Sequence, residues 1–167
     1  LESDVILDSI SYTQVESLVD GLDQAVSVYT ANEPTQLRSM GYQINELRVA
    51  DYVQLVSNGL VTNEKTIREN PDMVRGMVRA ILLGIQYTID NPDEAYQISR
   101  KYVENLDQAD ETVQKQVLAT SIKLWKAERL GFSNPAAWSN MQGVLLSMGW
   151  LEEPSNLSAA YTNEFLP

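Results

Sequence analysis

Neither cysteine nor histidine occurs anywhere in the 167 residues. Without them the chain has no disulfide, no thiolate chemistry, no Ser–His–Asp triad and no ordinary zinc site. A chain without cysteine is at home in either redox compartment. Apolar runs are short, well below the ~20 residues of a membrane span. Basic side chains are also scarce, with 12 Lys and Arg against 23 Asp and Glu, and the first of them is Arg38. A net charge of -11 argues against nucleic acid or an anionic membrane as partner, because both need clustered Lys and Arg. The carboxylates are plentiful, yet none are paired at a spacing suited to acid–base work. "DQADET" at residues 107–112 lacks the glycine turn of a calcium loop and reads as a solvated helix start. No cofactor, metal site or catalytic group is expected.

What is present changes character along the chain. The opening "LESDVILDSISY" has neither an initiator Met nor a signal-peptide pattern and reads as the middle of a fold, so an upstream half is expected to be missing. "DVILDSI", "DQAVSVY" and "YQINELRV" have strand character. Between them, "TQVESLVDGL" predicts a helix stopped by Gly21. "EPTQLRSMG" predicts one with Pro34 in its first turn and Gly41 after its end. Strands and helices alternating over such short links predict a parallel sheet with crossover helices. "YVQLVSNGLVTNEKTI", residues 52–67, reads as a β-rich run interrupted by the turn or bulge signal "SNG".

Beyond it the strand signal stops. The pairs Asn70-Pro71, Asn91-Pro92 and Asn134-Pro135 each open a helical pattern, Asn being a favoured N-cap and Pro being preorganised for the first helical position. Met73, Val74, Met77, Val78, Ile81, Leu82, Ile85 and Ile89 fall on one face of the first of these helices. The next is expected from about Asp93 to Val103, with Ala95, Ile98 and Tyr102 inward. A third is expected from about Glu111 to Ala127 on Val113, Val117, Ile122 and Trp125. A fourth covers Pro135 to Met148 on Trp138, Met141, Leu145 and Met148. Arg75, Arg79, Arg100 and Lys101 sit among acids on solvated faces and are given no function.

In open α/β sheets, ligands sit outside the carboxyl ends of the strands, and "YTANEP" is such a handover from strand to helix. Tyr29 there can stack on a planar ligand while Asn32 and Glu33 pair with its donors and acceptors. The structural alternative makes Asn32 a helix cap, Glu33 a charge favouring the helix dipole and Tyr29 packing. Ser57 and Asn58, in "SNG", are a second candidate against an ordinary bulge. Tyr12, Gln14 and Tyr52 are cleft-lining candidates that are more often packing or surface. Trp125 and Trp138 lie on apolar helix faces, where core is the better reading.

In order along the chain, "LVDGLDQAVSVYTANEP", "LVSNGLVTNEKTIRENPDMVRGMVRAILLGIQYTIDNPDEA", "LWKAERLGFSNPAAWSNMQGVLLSMGWL" and "YTNEFLP" resemble the C-terminal half of periplasmic solute-binding proteins of ABC importers. The branch is the one related to thiamine-pyrimidine synthases, which includes binders of thiamine-pyrimidine precursors and of riboflavin. The resemblance implies an α/β, two-lobed type II periplasmic-binding-protein fold of which this is the helix-rich C-terminal portion. Residues 1–52 would be the end of the second lobe, in βαβ units. Residues 53–167 would be a crossing strand and helices returning to the first lobe, and the N-terminal half would be absent. It also places "YTANEP" toward the cleft, favouring Tyr29, Asn32 and Glu33 as ligand contacts, and Ser57 and Asn58 beside them.

The function so implied is that of an extracytoplasmic binding component, periplasmic or on the cell surface, with a lipid anchor as one form. Its partners would be a small heteroaromatic ligand, riboflavin or a thiamine pyrimidine, and the ABC permease subunits. The absence of Lys and Arg before residue 38 favours a neutral heterocycle. On this reading Glu33→Gln weakens binding by roughly 1.5–3 kcal/mol with little change in the stability of the ligand-free protein. The alternatives are a thiamine-pyrimidine synthase-like enzyme, whose chemistry leans on His and Cys, and a ligand-sensing domain of a regulatory protein. The fragment by itself is expected to associate with itself or to pair with its missing N-terminal half.

Overall fold

Polar caps and glycine stops set the helix boundaries. The computed structural model describes residues 4–167, and residues 1–3 of the expected second-lobe segment lie outside it. Its α-helices are α1 (Gln14–Val19), α2 (Glu33–Ser39), α3 (Glu64–Glu69), α4 (Pro71–Asp90), α5 (Pro92–Ser99), α6 (Glu111–Trp125), α7 (Pro135–Ser147) and α8 (Leu157–Ala160). A 3-10 turn lies at Val49–Asp51. Side-chain oxygens of Asn63, Asp110, Asn134 and Asn156 accept from backbone N–H groups in the first turns of α3, α6, α7 and α8, satisfying donors that have no partner inside the helix. Asn70 and Asn91 also precede prolines, but neither caps through its side chain. Each is the single residue joining two helices. Asn91 instead donates its amide to the carbonyl of Tyr87, 3.3 Å away at the end of α4.

Three helices end the same way. After α1, α2 and α7, Gly21, Gly41 and Gly149 take φ of 71°, 89° and 71°. The residue after each glycine donates back across the last turn: Leu22 to Ser17, Tyr42 to Leu37 and Trp150 to Leu145, at 2.9–3.0 Å. This is the Schellman arrangement, and its left-handed residue is best filled by glycine.

The helices pack in sequence, α3 on α4, α4 on α5 and α5 on α6, with α6 also touching α2 and α4. The most buried apolar side chains are Leu37, Ala95, Tyr96, Ile122, Ala137 and Phe165. On α4 the expected face is in phase, since Val74, Val78, Ile81, Leu82, Ile85 and Ile89 are half-buried, but Met73 and Met77 are exposed. The expected inward set on α5 shifts. Ala95 and Tyr96 are buried, while Ile98 and Tyr102 are exposed, because α5 ends at Ser99 and Tyr102 lies beyond it. Lys115 lies 5.5 Å over the Tyr96 ring and pairs with Glu111 at 3.0 Å and Asp93 at 3.3 Å. The hydrogen bonds to those carboxylates, Glu111 first, raise its pKa. Ile85→Ala is expected to cost about 1–2.5 kcal/mol, half the figure for a fully buried site, and Arg79→Ala, on the exposed side, much less. Chemical denaturation of the two variants checks the helix phase.

The expected strands are extended segments without a ladder. Among the described residues none is in a β-strand, including the crossing run after residue 53. An extended segment becomes a strand only when a neighbour offers its backbone groups, and among the described residues no such neighbour lies beside these segments.

The C-terminal residues fold back over α4 and the start of α7. Tyr161 stacks on Trp138 with ring centroids 4.9 Å apart. Asn163 accepts from the N–H of Ser133 and donates to its carbonyl, both at 2.9 Å. Phe165 is buried, with the Arg75 guanidinium 5.4 Å over its ring.

Candidate functional site

The loop before α2 is held by a short chain of hydrogen bonds. Pro34 and Leu37 bury one side of α2, which rests against α1 and α6, so the first turn of the helix is fixed from below. The Asn32 N–H closes a turn onto the Tyr29 carbonyl at 2.9 Å. Glu33 is 9% exposed, and its two oxygens are shared: one accepts the Tyr29 backbone N–H at 3.0 Å, the other the Asn32 side-chain amide at 2.9 Å. The Asn32 oxygen accepts from Gln36 Nε2 at 2.8 Å. Thr35 Oγ1 donates to the Ala31 carbonyl at 2.9 Å. Such a carboxylate is costly to bury unless it is hydrogen-bonded, and here both its oxygens are.

This geometry departs from the capping reading of Asn32. Asn32 makes no side-chain cap; its amide is engaged by Glu33 and Gln36. Glu33 holds the loop together, so Glu33→Gln sets an amide N–H against a donor and should cost stability in the ligand-free protein as well. Tyr29 is 65% exposed, with its ring free to serve as a platform. Carboxylate and amide oxygens each have lone pairs beyond those used internally, and Asn32 keeps a second N–H. The cluster is therefore pre-set, with residual polar capacity beside an open aromatic face.

The other candidates are less closely tied. Ser57 and Asn58 are exposed and make no hydrogen bond to residues 29–36 among the described residues. Tyr12 and Tyr52 are exposed, and Gln14 donates to the Ser11 carbonyl at 3.0 Å. Trp138 packs on Tyr161, whereas Trp150 is exposed. Gln36 is the member of the cluster that sequence reasoning missed. Its signal was the spacing of Asn32 and Gln36, four residues apart and hence neighbours on a helical turn. Among the described residues there is no grouping of acidic side chains able to hold a metal ion, and no helix is long and apolar enough to cross a membrane.

The family described as NMT1/THI5 like matches residues 2–95. The chain belongs to that family. The matched stretch contains the Tyr29–Gln36 cluster, residues 57–58 and all of α4. Two curated relatives extend the likeness over nearly the whole chain. The riboflavin-binding protein RibY of Chloroflexus aurantiacus is 34% identical over 171 residues, covering 99% of this chain and 49% of the relative. A formylaminopyrimidine-binding protein of Halalkalibacterium halodurans is 27% identical over 171 residues, covering 95% of this chain and 50% of the relative. The chain thus spans about half the length of the curated relatives it matches. One of these relatives of an NMT1/THI5-like chain is named for binding riboflavin and the other for binding a formylaminopyrimidine, and neither is named as an enzyme.

Proposed function

We propose that the chain is part of an extracytoplasmic solute-binding component of an ABC importer. It binds a small heteroaromatic vitamin or vitamin precursor, riboflavin before a thiamine pyrimidine, in a cleft between two lobes. The observation that carries the reading is the match to a riboflavin-binding relative along 99% of the chain, together with an exposed Tyr29 set beside a hydrogen-bonded Asn32–Glu33 pair. A flat heterocycle needs an aromatic platform and a few placed polar groups; Tyr29 supplies the first, Asn32 and Glu33 the second. Ser57 and Asn58, exposed on the run after residue 53, are proposed as further contacts at the cleft edge. In this scheme residues 1–52 belong to the second lobe, and residues 53–167 cross over and return to the first. The permease subunits are the partners, and the compartment is periplasmic or cell-surface. The names of both relatives favour binding without turnover over the synthase alternative.

Calorimetry with riboflavin and with a formylaminopyrimidine on the intact protein tests this reading. Tyr29→Ala is expected to weaken riboflavin binding by about 1–3 kcal/mol, the range for loss of an aromatic stacking partner, and to leave the melting temperature of the ligand-free protein unchanged because the side chain is exposed. Wild-type protein that binds neither compound would refute the assignment. Unchanged affinity in Tyr29→Ala would remove Tyr29 from the site.

A further inference from the structure

We propose that Gln36 is a positioning residue that fixes which way the Asn32 amide faces, and so the order in which Asn32 offers a donor and an acceptor to the ligand. The inference rests on the proposed binding function and names a specificity device within it.

An asparagine amide can be turned over at almost no steric cost, since its oxygen and nitrogen are nearly the same size; only hydrogen-bond partners choose between the two faces. At Asn32 both partners choose the same one. Gln36 Nε2 is a donor, and it lies 2.8 Å from Asn32 Oδ1. Glu33 Oε1 is an acceptor, and it lies 2.9 Å from Asn32 Nδ2. The relay is anchored at its Glu33 end. The second Glu33 oxygen is taken by the Tyr29 backbone N–H at 3.0 Å. Gln36 is half-buried on the wall of a cleft of about 220 Å³ between α2 and the start of α6, beside Ser39, Met40, Asp110 and Gln114. Turning the Asn32 amide over would set donor against donor at Gln36 and oxygen against carboxylate at Glu33. One Nδ2 hydrogen and one Oδ1 lone pair remain outside the relay. Their order is fixed, so the ligand class selected is a heterocycle whose edge carries adjacent hydrogen-bonding groups in the complementary order, as a lactam or aminopyrimidine edge does.

The test uses three variants of the intact protein, riboflavin as probe, and the side-chain amide signal of Asn32 in the ligand-free, nitrogen-15-labelled protein. Gln36→Met removes the donor. Gln36→Glu replaces it by an acceptor. The pair Glu33→Gln with Gln36→Glu rebuilds every hydrogen bond with the relay reversed. The amide introduced at position 33 donates to Asn32 Oδ1 and still accepts from the Tyr29 N–H, and Asn32 Nδ2 donates to the carboxylate introduced at position 36. Gln36→Glu alone is expected to weaken riboflavin binding roughly tenfold or more. The double variant is expected to recover the wild-type melting temperature without recovering affinity, because the amide now faces the other way. The Asn32 amide signal should move in Gln36→Met and in both Gln36→Glu proteins. Recovery of affinity together with melting temperature in the double variant would reduce Gln36 to a structural role and overturn the proposal. So would riboflavin affinity and an Asn32 signal unchanged in Gln36→Met, which tests the idea even if the double variant does not fold. A wild-type protein that ignores riboflavin refutes the binding function instead, and the amide signal then still decides whether Gln36 orients Asn32.

Discussion

Phe165→Ala is expected to lower the stability of the protein by about 3–5 kcal/mol, although the residue lies only two positions from the last in the sequence. The ring is 6% exposed, on a par with the best-buried side chains, and the Arg75 guanidinium covers one of its faces at 5.4 Å. Its neighbours in the tail secure it against relaxation. Asn163 treats the backbone of Ser133 as a strand neighbour would, accepting from its N–H and donating to its carbonyl. The Tyr161 ring lies within 8° of parallel to Trp138. Leu166 presses toward Gly131, where an added Cβ would come 3.2 Å from its Cδ2 and 2.7 Å from Leu82 Cδ2. With the tail pinned on either side, the space left by the ring cannot easily be refilled. Urea denaturation of Phe165→Ala beside Phe132→Ala provides the contrast, because Phe132 is 45% exposed and should cost far less. Equal losses for the two would show that the tail does not share the core.

The isolated 167-residue chain is expected to associate with itself in solution. It exposes 12943 Å², whereas a folded monomer of 18.7 kDa is expected to expose roughly 8,300 Å². Large apolar side chains contribute to it: Ile6, Leu7, Leu47, Val61, Met73, Met77 and Leu83 are each more than half exposed. Surfaces of that kind find partners, and unpaired extended segments add free backbone donors and acceptors. A second copy of the chain is one partner able to cover them. Light scattering over a range of concentrations should give a mass above 18.7 kDa that rises with concentration. A single monomeric mass at every concentration would show that the exposed apolar surface is tolerated.

The helical part was legible because its signals are local. Pro71, Pro92 and Pro135 stand at the first positions of α4, α5 and α7, and Gly21 and Gly41 follow α1 and α2 as expected. The face of α4 was right in phase for the same reason, since a period of 3.6 needs no knowledge of the partner. Depth of burial was not legible: Met73 and Met77 belong to that face yet remain exposed, because burial depends on what lies opposite. The same limit explains the strands. "DQAVSVY" carries the propensity, but pairing is a property of two segments, and among the described residues it has no second. At the candidate site, residue types pointed to Tyr29, Asn32 and Glu33, while the division of labour among them did not show. A composition cannot say that both Glu33 oxygens are occupied from within, nor that Gln36 completes the relay. The tail clasp was hidden for a related reason, because Asn163 and Ser133 meet across 30 residues.

The extended run after the 3-10 turn bears on how the chain meets the solvent over time. From Gln54 to Asn63 no backbone N–H has a hydrogen-bond partner among the described residues, although the Gln54 carbonyl accepts from the Asn140 amide at 2.9 Å. Amide protons there should exchange with deuterated water almost as fast as in an unstructured peptide, while those in the middle of α4 persist through its internal ladder. A protease would accordingly be expected to cut first in "LVSNGLVTN" and to release two pieces, one carrying α1 and α2, the other carrying the helices from α3 onward. Slow exchange across the same ten residues in the intact protein would be the signature that a neighbouring strand has come to lie beside them.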